Sequence, residues 1–301
     1  MEKIKKLKKV FKEEKIDGYI IPKNDEYFTE YIPDFNDRLR YISNFSGSYG
    51  FALILKKDNY LFVDGRYSLQ ANIQSSEYYK IITFPQRMPK DILKNKNLCI
   101  GFDPKIITKK ILRIFFGGSD CYFKPLKNNL IDKIWRRKVK KNNKKFYRLP
   151  SHSVSERYSA KILKILNYLK RKKADFLFIT ASENNAWLLN IRGSDTKYTP
   201  VPNSYILIDK NKNIKIFCDL KKIPRLFKSY FNKIDFLNIS SIDTTLLQIN
   251  FKKFIIDKNS CSFYFENLIS KNNKILNFQD PIYFLKKIKD KKEIENIKKI
   301  H

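Results

Sequence analysis

The segment Leu61-Phe62-Val63-Asp64-Gly65-Arg66-Tyr67 has the residue types in this sequence that best suit ligand binding. An apolar strand ends in Asp64, a glycine frees the backbone, and Arg66 opens a helix. Loops after strands are where α/β proteins present side chains to ligands, and a guanidinium suits carboxylate or peptide-carbonyl groups. A structural contact between Asp64 and Arg66, or a simple turn, also explains the pattern. Both interpretations stay open at this point.

Other chemistry-bearing patterns are absent from the sequence. It contains no Walker loop, GxGxxG, HExxH, GxSxG or zinc-ribbon spacing. The acidic neighbours Asp25 and Glu26 are expected to be solvated loop residues. The only histidines, His152 and His301, are too few for a histidine-rich metal cage. We therefore predict no catalytic residue and no metal ligand in this chain.

The cysteines form no CxxC pair, and each has apolar or aromatic neighbours. We expect them to be buried, reduced thiols in a reducing compartment. They are Cys99, Cys121, Cys218 and Cys261.

The charge balance of the 301 residues is strongly basic, with a net charge of +32 from 62 Lys and Arg against 30 Asp and Glu. Such a balance can indicate a polyanionic partner such as nucleic acid. The lysines are spread along the chain, however, and the densest run, residues 136–141, lacks interleaved stacking aromatics. Compositional drift with a solvated surface is the favoured interpretation, and nucleic-acid binding is the alternative.

The N-terminal segment does not have the pattern of a signal peptide. Residues 1–15 mix Lys with Glu, and their apolar residues fall on one helical face. No apolar run approaches the ~18–20 residues that a membrane-spanning helix needs. We expect no membrane partner and a cytoplasmic location.

The two halves of the chain repeat one order of helices, strands and hairpins. Asn44-Phe45-Ser46-Gly47-Ser48 matches Asn190-Ile191-Arg192-Gly193-Ser194, and the pairs Asp64/Asp219 and Asp103/Asp257 end corresponding strands. A repeat of about one domain length predicts a duplicated fold. Hairpins between strand–helix units predict α/β domains, each with a mixed sheet flanked by helices. The polar segment before Pro150 places the domains at residues 1–148 and 149–279.

Residues 280–301 give a third signal. Asp280 and Pro281 suit the N-cap and first position of a helix, and apolar residues at helical spacing predict one continuous helix up to His301. No Gly, Pro or turn residue ends that helix. The pattern predicts the start of a further domain that follows in a longer product or once followed.

Motifs along the whole sequence resemble the two N-terminal domains of three-domain, cytosolic Xaa-Pro aminopeptidases. The second half carries the run from Ala186 to Asp195, and the first half carries several shorter motifs. These are Asp25-Glu26-Tyr27, Glu30-Tyr31-Ile32-Pro33, Arg38-Leu39, Phe45-Ser46-Gly47-Ser48, Phe62-Val63-Asp64-Gly65-Arg66-Tyr67 and Leu69-Gln70. The chain departs from the family pattern at Tyr27, Tyr49 and residues 199–202, which affects fine substrate contacts.

The resemblance implies two tandem creatinase/prolidase N-terminal-type domains, with residues 280–301 leading into an absent pita-bread catalytic domain. In that family the catalytic domain holds two divalent metal ions, usually manganese, and releases an N-terminal residue that precedes proline. No metal ion is expected to bind this chain. The family's arginine that contacts the peptide corresponds to Arg66.

The resemblance therefore favours the N-terminal part of an Xaa-Pro aminopeptidase, which positions a peptide with proline in second place and is inactive alone. Its partner would be a separate catalytic domain or a second copy in a homodimer. The alternative is a standalone, non-catalytic module that binds peptides or proteins.

Overall fold

The computed structural model describes residues 2–137, 142–154, 156–231 and 233–300, apart from the side chain of Lys228. The chain divides into two compact units, Met1–Lys140 and Lys141–His301. Residues 138–141 of the basic run and His301 at the end of the predicted final helix lie outside the described residues.

Helices and strands alternate through the first unit. The helices are α1 Glu2–Glu13, α2 Arg38–Ser43, α3 Ser68–Ser75, α4 Pro89–Leu93, α5 Lys109–Phe116 and α6 Leu130–Ile134. The strands are β1 Gly18–Pro22, β2 Phe51–Leu55, β3 Asn59–Val63, β4 Lys80–Thr83, β5 Cys99–Phe102 and β6 Tyr122–Pro125.

The second unit repeats this alternation with a two-stranded addition, β7 and β9. Its helices are α7 Tyr158–Arg171, α8 Ser182–Leu189, α9 Arg225–Tyr230, α10 Ile242–Leu247, α11 Phe263–Ser270, α12 Pro281–Lys287 and α13 Lys291–Ile300. Its strands are β7 Tyr147–Arg148, β8 Phe176–Ile179, β9 Ile191–Arg192, β10 Tyr205–Asp209, β11 Ile214–Cys218, β12 Ile234–Asn238, β13 Lys253–Ile256 and β14 Lys274–Asn277.

Each unit is built on a six-stranded mixed sheet, and the two sheets have the same plan. The strand orders are β4-β3-β2-β1-β5-β6 and β12-β11-β10-β8-β13-β14. In both sheets the strand pairs within the central hairpin region are antiparallel, and the outer pairs are parallel. The predicted fold of two α/β domains with mixed sheets and flanking helices is confirmed.

The sequence of each central strand explains why the sheets are covered on both faces. Every residue of Phe51–Leu55 is buried, as expected for a strand between two helical layers. The first helix supplies part of one layer: α1 buries Ile4, Leu7 and Phe11, which recur at the three- and four-residue spacing of one helical face.

The repeat extends to individual side-chain hydrogen bonds. Asp17, just before β1, accepts a bond from the backbone N–H of Cys99 at 2.9 Å. Asp175, just before β8, accepts the equivalent bond from the N–H of Lys253 at 2.9 Å. Each aspartate therefore fixes the register between the first strand of its unit and the parallel strand beside it.

A second repeated aspartate anchors the helix that follows the last strand. Buried Asp103 accepts from the side-chain amide of Asn129, the N-cap of α6, at 2.8 Å. Buried Asp257 accepts from the backbone N–H of Asp280, the N-cap of α12, at 2.9 Å. The sequence match between Asp103 and Asp257 thus reflects one structural role.

The prediction of one continuous helix from Pro281 to the end is wrong. Asp280 and Pro281 do begin a helix as expected, but α12 ends at Lys287 and α13 begins at Lys291. Asp290 and Glu293 cause the break, because each side chain accepts from the other's backbone N–H, at 2.8 and 3.1 Å. This reciprocal arrangement is a capping box, and it starts a new helix.

Residues 142–148 pack with the second unit. Phe146 is buried in that core, and Tyr147–Arg148 pair with Ile191–Arg192. The strand β7 therefore belongs to the second unit, and the predicted domain boundary, between residues 148 and 149, lies just after this strand. No helix in the described part of the chain is long and apolar enough to span a membrane.

Asp280 gives a pH-dependent test of the second unit. Burial raises the pKa of this carboxyl from 3.8 to about 6. The folded state therefore holds the proton to higher pH than the unfolded state, so this group's contribution to stability is full below about pH 4 and is lost as pH rises to about 6.

We expect the wild type to lose roughly 2–3 kcal/mol of unfolding free energy relative to Asp280→Asn between pH 4 and pH 7, measured by urea denaturation. Asp235→Asn, which removes an exposed carboxylate of the same unit, should show no such pH-dependent difference. A wild-type-minus-variant difference that stays constant over this range would contradict the expectation.

Candidate functional site

The predicted ligand-binding segment lies immediately after β3. Asp64 is the N-cap of a short 3-10 helix, Gly65–Tyr67, and accepts the backbone N–H of Arg66 at 3.0 Å. The helix α3 follows directly. Gly65 does not use the backbone freedom expected of it, because its φ lies outside the left-handed region and a Cβ there would meet open space.

Arg66 is exposed and yet held in place. Its Nε lies 3.1 Å from Asp64 Oδ1, and its Nη2 lies 2.7 Å from Asp64 Oδ2. The side chain of Arg66 is nonetheless 73% exposed. The hydrogen bond from Arg66 is the largest cause of the lowered pKa of Asp64. The predicted structural contact is therefore present, and it leaves the outer face of the guanidinium free for a ligand.

An aromatic ring supports the arginine from one side. The guanidinium lies 5.3 Å from the centre of the Tyr67 ring, and the Tyr67 hydroxyl is hydrogen bonded to Ser48 Oγ at 2.6 Å. Tyr67 also makes an edge contact with buried Phe45. Gly47 is required in this loop, because a Cβ would lie 2.2 Å from the Phe45 ring. The loop at residues 44–48 thus fixes Tyr67 and, through it, the position of Arg66.

Apolar side chains extend the surface beyond Arg66. Leu69 and Ile73 are 73% and 77% exposed, and their spacing places them on one face of α3. Tyr49, in the adjoining loop, is 45% exposed. An arginine beside apolar side chains offers hydrogen bonds to peptide carbonyls and contact surface for peptide side chains.

The corresponding loop of the second unit has the same frame with different chemistry. Asp219 caps the 3-10 helix Leu220–Lys222 and accepts from the N–H of Lys221 at 3.0 Å. Lys222 forms a partly buried ion pair with Asp195. No arginine occupies this loop, so of the two equivalent loops only that of the first unit presents a guanidinium.

The expectation that Asp25 and Glu26 are solvated loop residues is wrong. Asp25 is 1% exposed and accepts hydrogen bonds from the N–H groups of Tyr27 and Thr29, both at 3.0 Å. Burial raises the pKa of Asp25. Glu26 pairs with buried Arg38 at 2.5 Å. Both carboxylates therefore shape the loop after β1.

Metal-binding groups and thiols complete the inventory of reactive side chains. Within the described ranges, His, Cys, Asp and Glu form no group of three or more that could hold a metal ion. All four cysteines are free, but the expectation of burial holds only for Cys218 and Cys261, because Cys99 and Cys121 are half-buried.

The comparisons with known proteins agree with this architecture. Residues 3–133 and 137–293 match two family models, each described as the creatinase/prolidase N-terminal domain. The chain therefore belongs to the creatinase/prolidase N-terminal domain family.

The curated relatives carry the name Xaa-Pro aminopeptidase. The chain is 30% identical to Xaa-Pro aminopeptidase 1 of Dictyostelium discoideum, over all of this chain and 51% of that protein. It is 28% identical to Xaa-Pro aminopeptidase ApepP of Drosophila melanogaster, over 93% of this chain and 48% of that protein. The chain spans about half the length of these relatives.

A solved structure has the same fold over nearly the whole chain. It is the X-prolyl aminopeptidase of Caenorhabditis elegans, reported as a cytosolic enzyme with a di-nuclear active site. The match has a TM-score of 0.87 at 23% identity and covers 98% of this chain and 52% of that one.

The clamp on Arg66 predicts the effect of Asp64→Asn. Asparagine is also a good N-cap, so the backbone bond to the Arg66 N–H is retained while the charged, two-point clamp is lost. We expect the Arg66 15Nε heteronuclear NOE to fall to the value of a freely moving arginine. Asp34→Asn, which removes the single contact to exposed Arg40, should leave the Arg66 signal unchanged. An unchanged NOE in Asp64→Asn would show that Asp64 does not hold the guanidinium.

Proposed function

We propose that this chain is the N-terminal part of an Xaa-Pro aminopeptidase, a metallopeptidase that releases an N-terminal residue preceding proline. The observation that carries the proposal is the pair of tandem units with the fold of the C. elegans enzyme, together with an exposed, clamped arginine on the first unit. The relatives that match the whole chain and bear this name support it.

The proposed role of the chain is to position the peptide. Arg66 would donate to a carbonyl or carboxylate oxygen of the substrate, with Asp64 holding the guanidinium in one orientation and Leu69 and Ile73 contacting peptide side chains. Orienting a substrate accelerates a reaction only if the reacting groups are supplied as well. We assign those groups to a separate catalytic domain that holds two divalent ions, expected to be manganese, which would activate water.

The proposed partners of the chain are a separate catalytic domain, which would receive the peptide, and a second copy of the chain in a homodimer. We propose a cytoplasmic location, supported by the cytosolic C. elegans enzyme.

A turnover assay tests whether catalysis requires the separate domain. We expect the purified 301-residue chain to release no residue from Xaa-Pro peptides with added Mn²⁺, because positioning groups without metal ligands do not activate water. Metal-dependent release above a blank without protein, abolished by a chelator, would contradict the proposal.

A binding assay tests Arg66. We expect Arg66→Gln to weaken binding of an Ala-Pro-containing peptide to the chain about tenfold, a loss of roughly one charge-assisted hydrogen bond. Arg113→Gln, which removes another exposed arginine of the same unit, should bind like the wild type. Equal affinities for all three proteins would remove Arg66 from the proposed site.

The alternative function, a standalone peptide- or protein-binding module, is favoured by one feature. The exposed side chains of Arg66, Leu69 and Ile73 all lie within a single unit. Such a module would bind peptides with alanine in place of the second-position proline as tightly as Ala-Pro peptides. A preference for proline favours the aminopeptidase role.

A further inference from the structure

A lysine in the first helix of each unit makes the same pair of contacts. Lys3 Nζ donates to the Tyr41 carbonyl at 2.8 Å and lies 4.7 Å from the centre of the Tyr41 ring. Lys161 Nζ donates to the Trp187 carbonyl at 2.8 Å and lies 3.8 Å from the ring centre. We call each set of lysine and aromatic residue a lysine node.

The sequence spacing shows that the two nodes are copies. Lys3 precedes Asp17 by the same number of residues as Lys161 precedes Asp175. The aromatic residue of each node lies near the end of α2 or α8, and an asparagine with positive φ, Asn44 or Asn190, ends each helix. The last carbonyls of a helix lack partners within it, and a cation satisfies them and the negative end of the helix dipole.

The node of the second unit is closed by its own chain. Lys161 is 5% exposed, and its ammonium also donates to Asn190 Oδ1 at 2.7 Å. The indole N–H of Trp187 donates to the carboxylate of Glu293 on α13 at 3.3 Å. The charges of Glu156 and Glu293 favour the charged form of Lys161, although burial has the larger effect and lowers its pKa to about 8. The chain thus brings acidic side chains to this node.

The node of the first unit is open. Lys3 and Tyr41 line a cleft of about 520 Å³ together with Asn44, Arg40 and Trp135. Trp135 stacks on Tyr41 with ring centres 4.5 Å apart. Among the described residues, Lys3 bonds only to the Tyr41 carbonyl, and the Asn44 side chain is exposed without a hydrogen-bond partner.

Of the charged side chains that line this cleft, Lys3 forms no ion pair among the described residues. Asp34 and Asp37 also line the cleft, but Asp34 pairs with Arg40 at 3.2 Å and Asp37 pairs with Lys23 at 2.5 Å. In the part of the chain that the structure describes, Lys3 has no carboxylate within ion-pair distance. Both carboxylates of the cleft thus pair with other cations, and the first unit has no counterpart of the bond between Trp187 and Glu293 among its described residues.

We propose that the cleft at Lys3 binds a glutamate or aspartate side chain of an acidic peptide segment. The ammonium of Lys3 pairs with the carboxylate, the Asn44 amide supplies a second donor, and the Trp135 and Tyr41 rings contact the methylene groups. Glu293, which accepts from the Trp187 indole and favours the charged form of Lys161, is the precedent within the same chain for a carboxylate beside a node.

Fluorine NMR can test the proposal on the 301-residue chain labelled with 5-fluorotryptophan. The two tryptophans, Trp135 and Trp187, give two signals that Trp135→Phe assigns. We expect acetyl-Ala-Glu-Ala-amide to shift the Trp135 signal saturably, with a dissociation constant of about 1 mM, and to leave Trp187 unchanged. The neutral acetyl-Ala-Gln-Ala-amide should bind at least about tenfold more weakly.

Three variants separate binding from folding. Lys3→Met should weaken binding of the glutamate peptide about tenfold, whereas Lys3→Arg, which keeps the charge, should restore it. Lys8→Met is the matched control, because Lys8 is another α1 lysine that donates to a backbone carbonyl, that of Lys56. Equal shifts with both peptides, no shift of Trp135, or full binding by folded Lys3→Met would each overturn the proposal.

Discussion

Each unit of this protein depends on a buried aspartate that follows a parallel strand, because this side chain accepts a hydrogen bond from the N-cap residue of a later helix. Asp103 and Asp257 are shielded from water, and a buried acceptor without a hydrogen-bond partner costs about 1–3 kcal/mol. Partners come from the N-caps Asn129 and Asp280 and from nearby backbone N–H groups. The bonds fix where α6 and α12 begin and so complete the helical layer over each sheet.

A shared frame with different loops explains why only one of the two equivalent loops presents an arginine. The aspartate cap after the hairpin is retained in both units. In the first unit the capped helix presents the side chain of Arg66 to the surface. In the second unit the partly buried ion pair between Lys222 and Asp195 holds the loop against the unit. Scaffold and loop can diverge separately because the loop contributes little to the core.

The similarity to Xaa-Pro aminopeptidases is the basis for the function proposed for the Arg66 loop. The chain matches about half the length of those relatives, and the proposed role of its Arg66 surface is to orient a peptide. An arginine fixed by Asp64 and supported by Tyr67 loses little further freedom when it binds a ligand, and such preorganisation improves affinity without added contacts.

The sequence by itself determined the features that local patterns encode. Apolar runs located the central strands, such as Phe51–Leu55 and Ile214–Cys218. The matched aspartates and the Asn-x-x-Gly-Ser loops revealed the repeat. The outer strands Tyr122–Pro125 and Lys274–Asn277 escaped prediction because they are short and only partly buried.

The tertiary structure alone decided which polar residues face the interior and which meet each other. The sequence predicts a solvated loop residue at Asp25, but its side chain is buried and accepts hydrogen bonds from the backbone of the turn that follows. The lysine nodes join the first helix of a unit to a residue 38 or 26 positions further along the chain, so no local sequence pattern predicts them. Such contacts depend on how helices pack across a sheet, and the packing is set by the whole core at once.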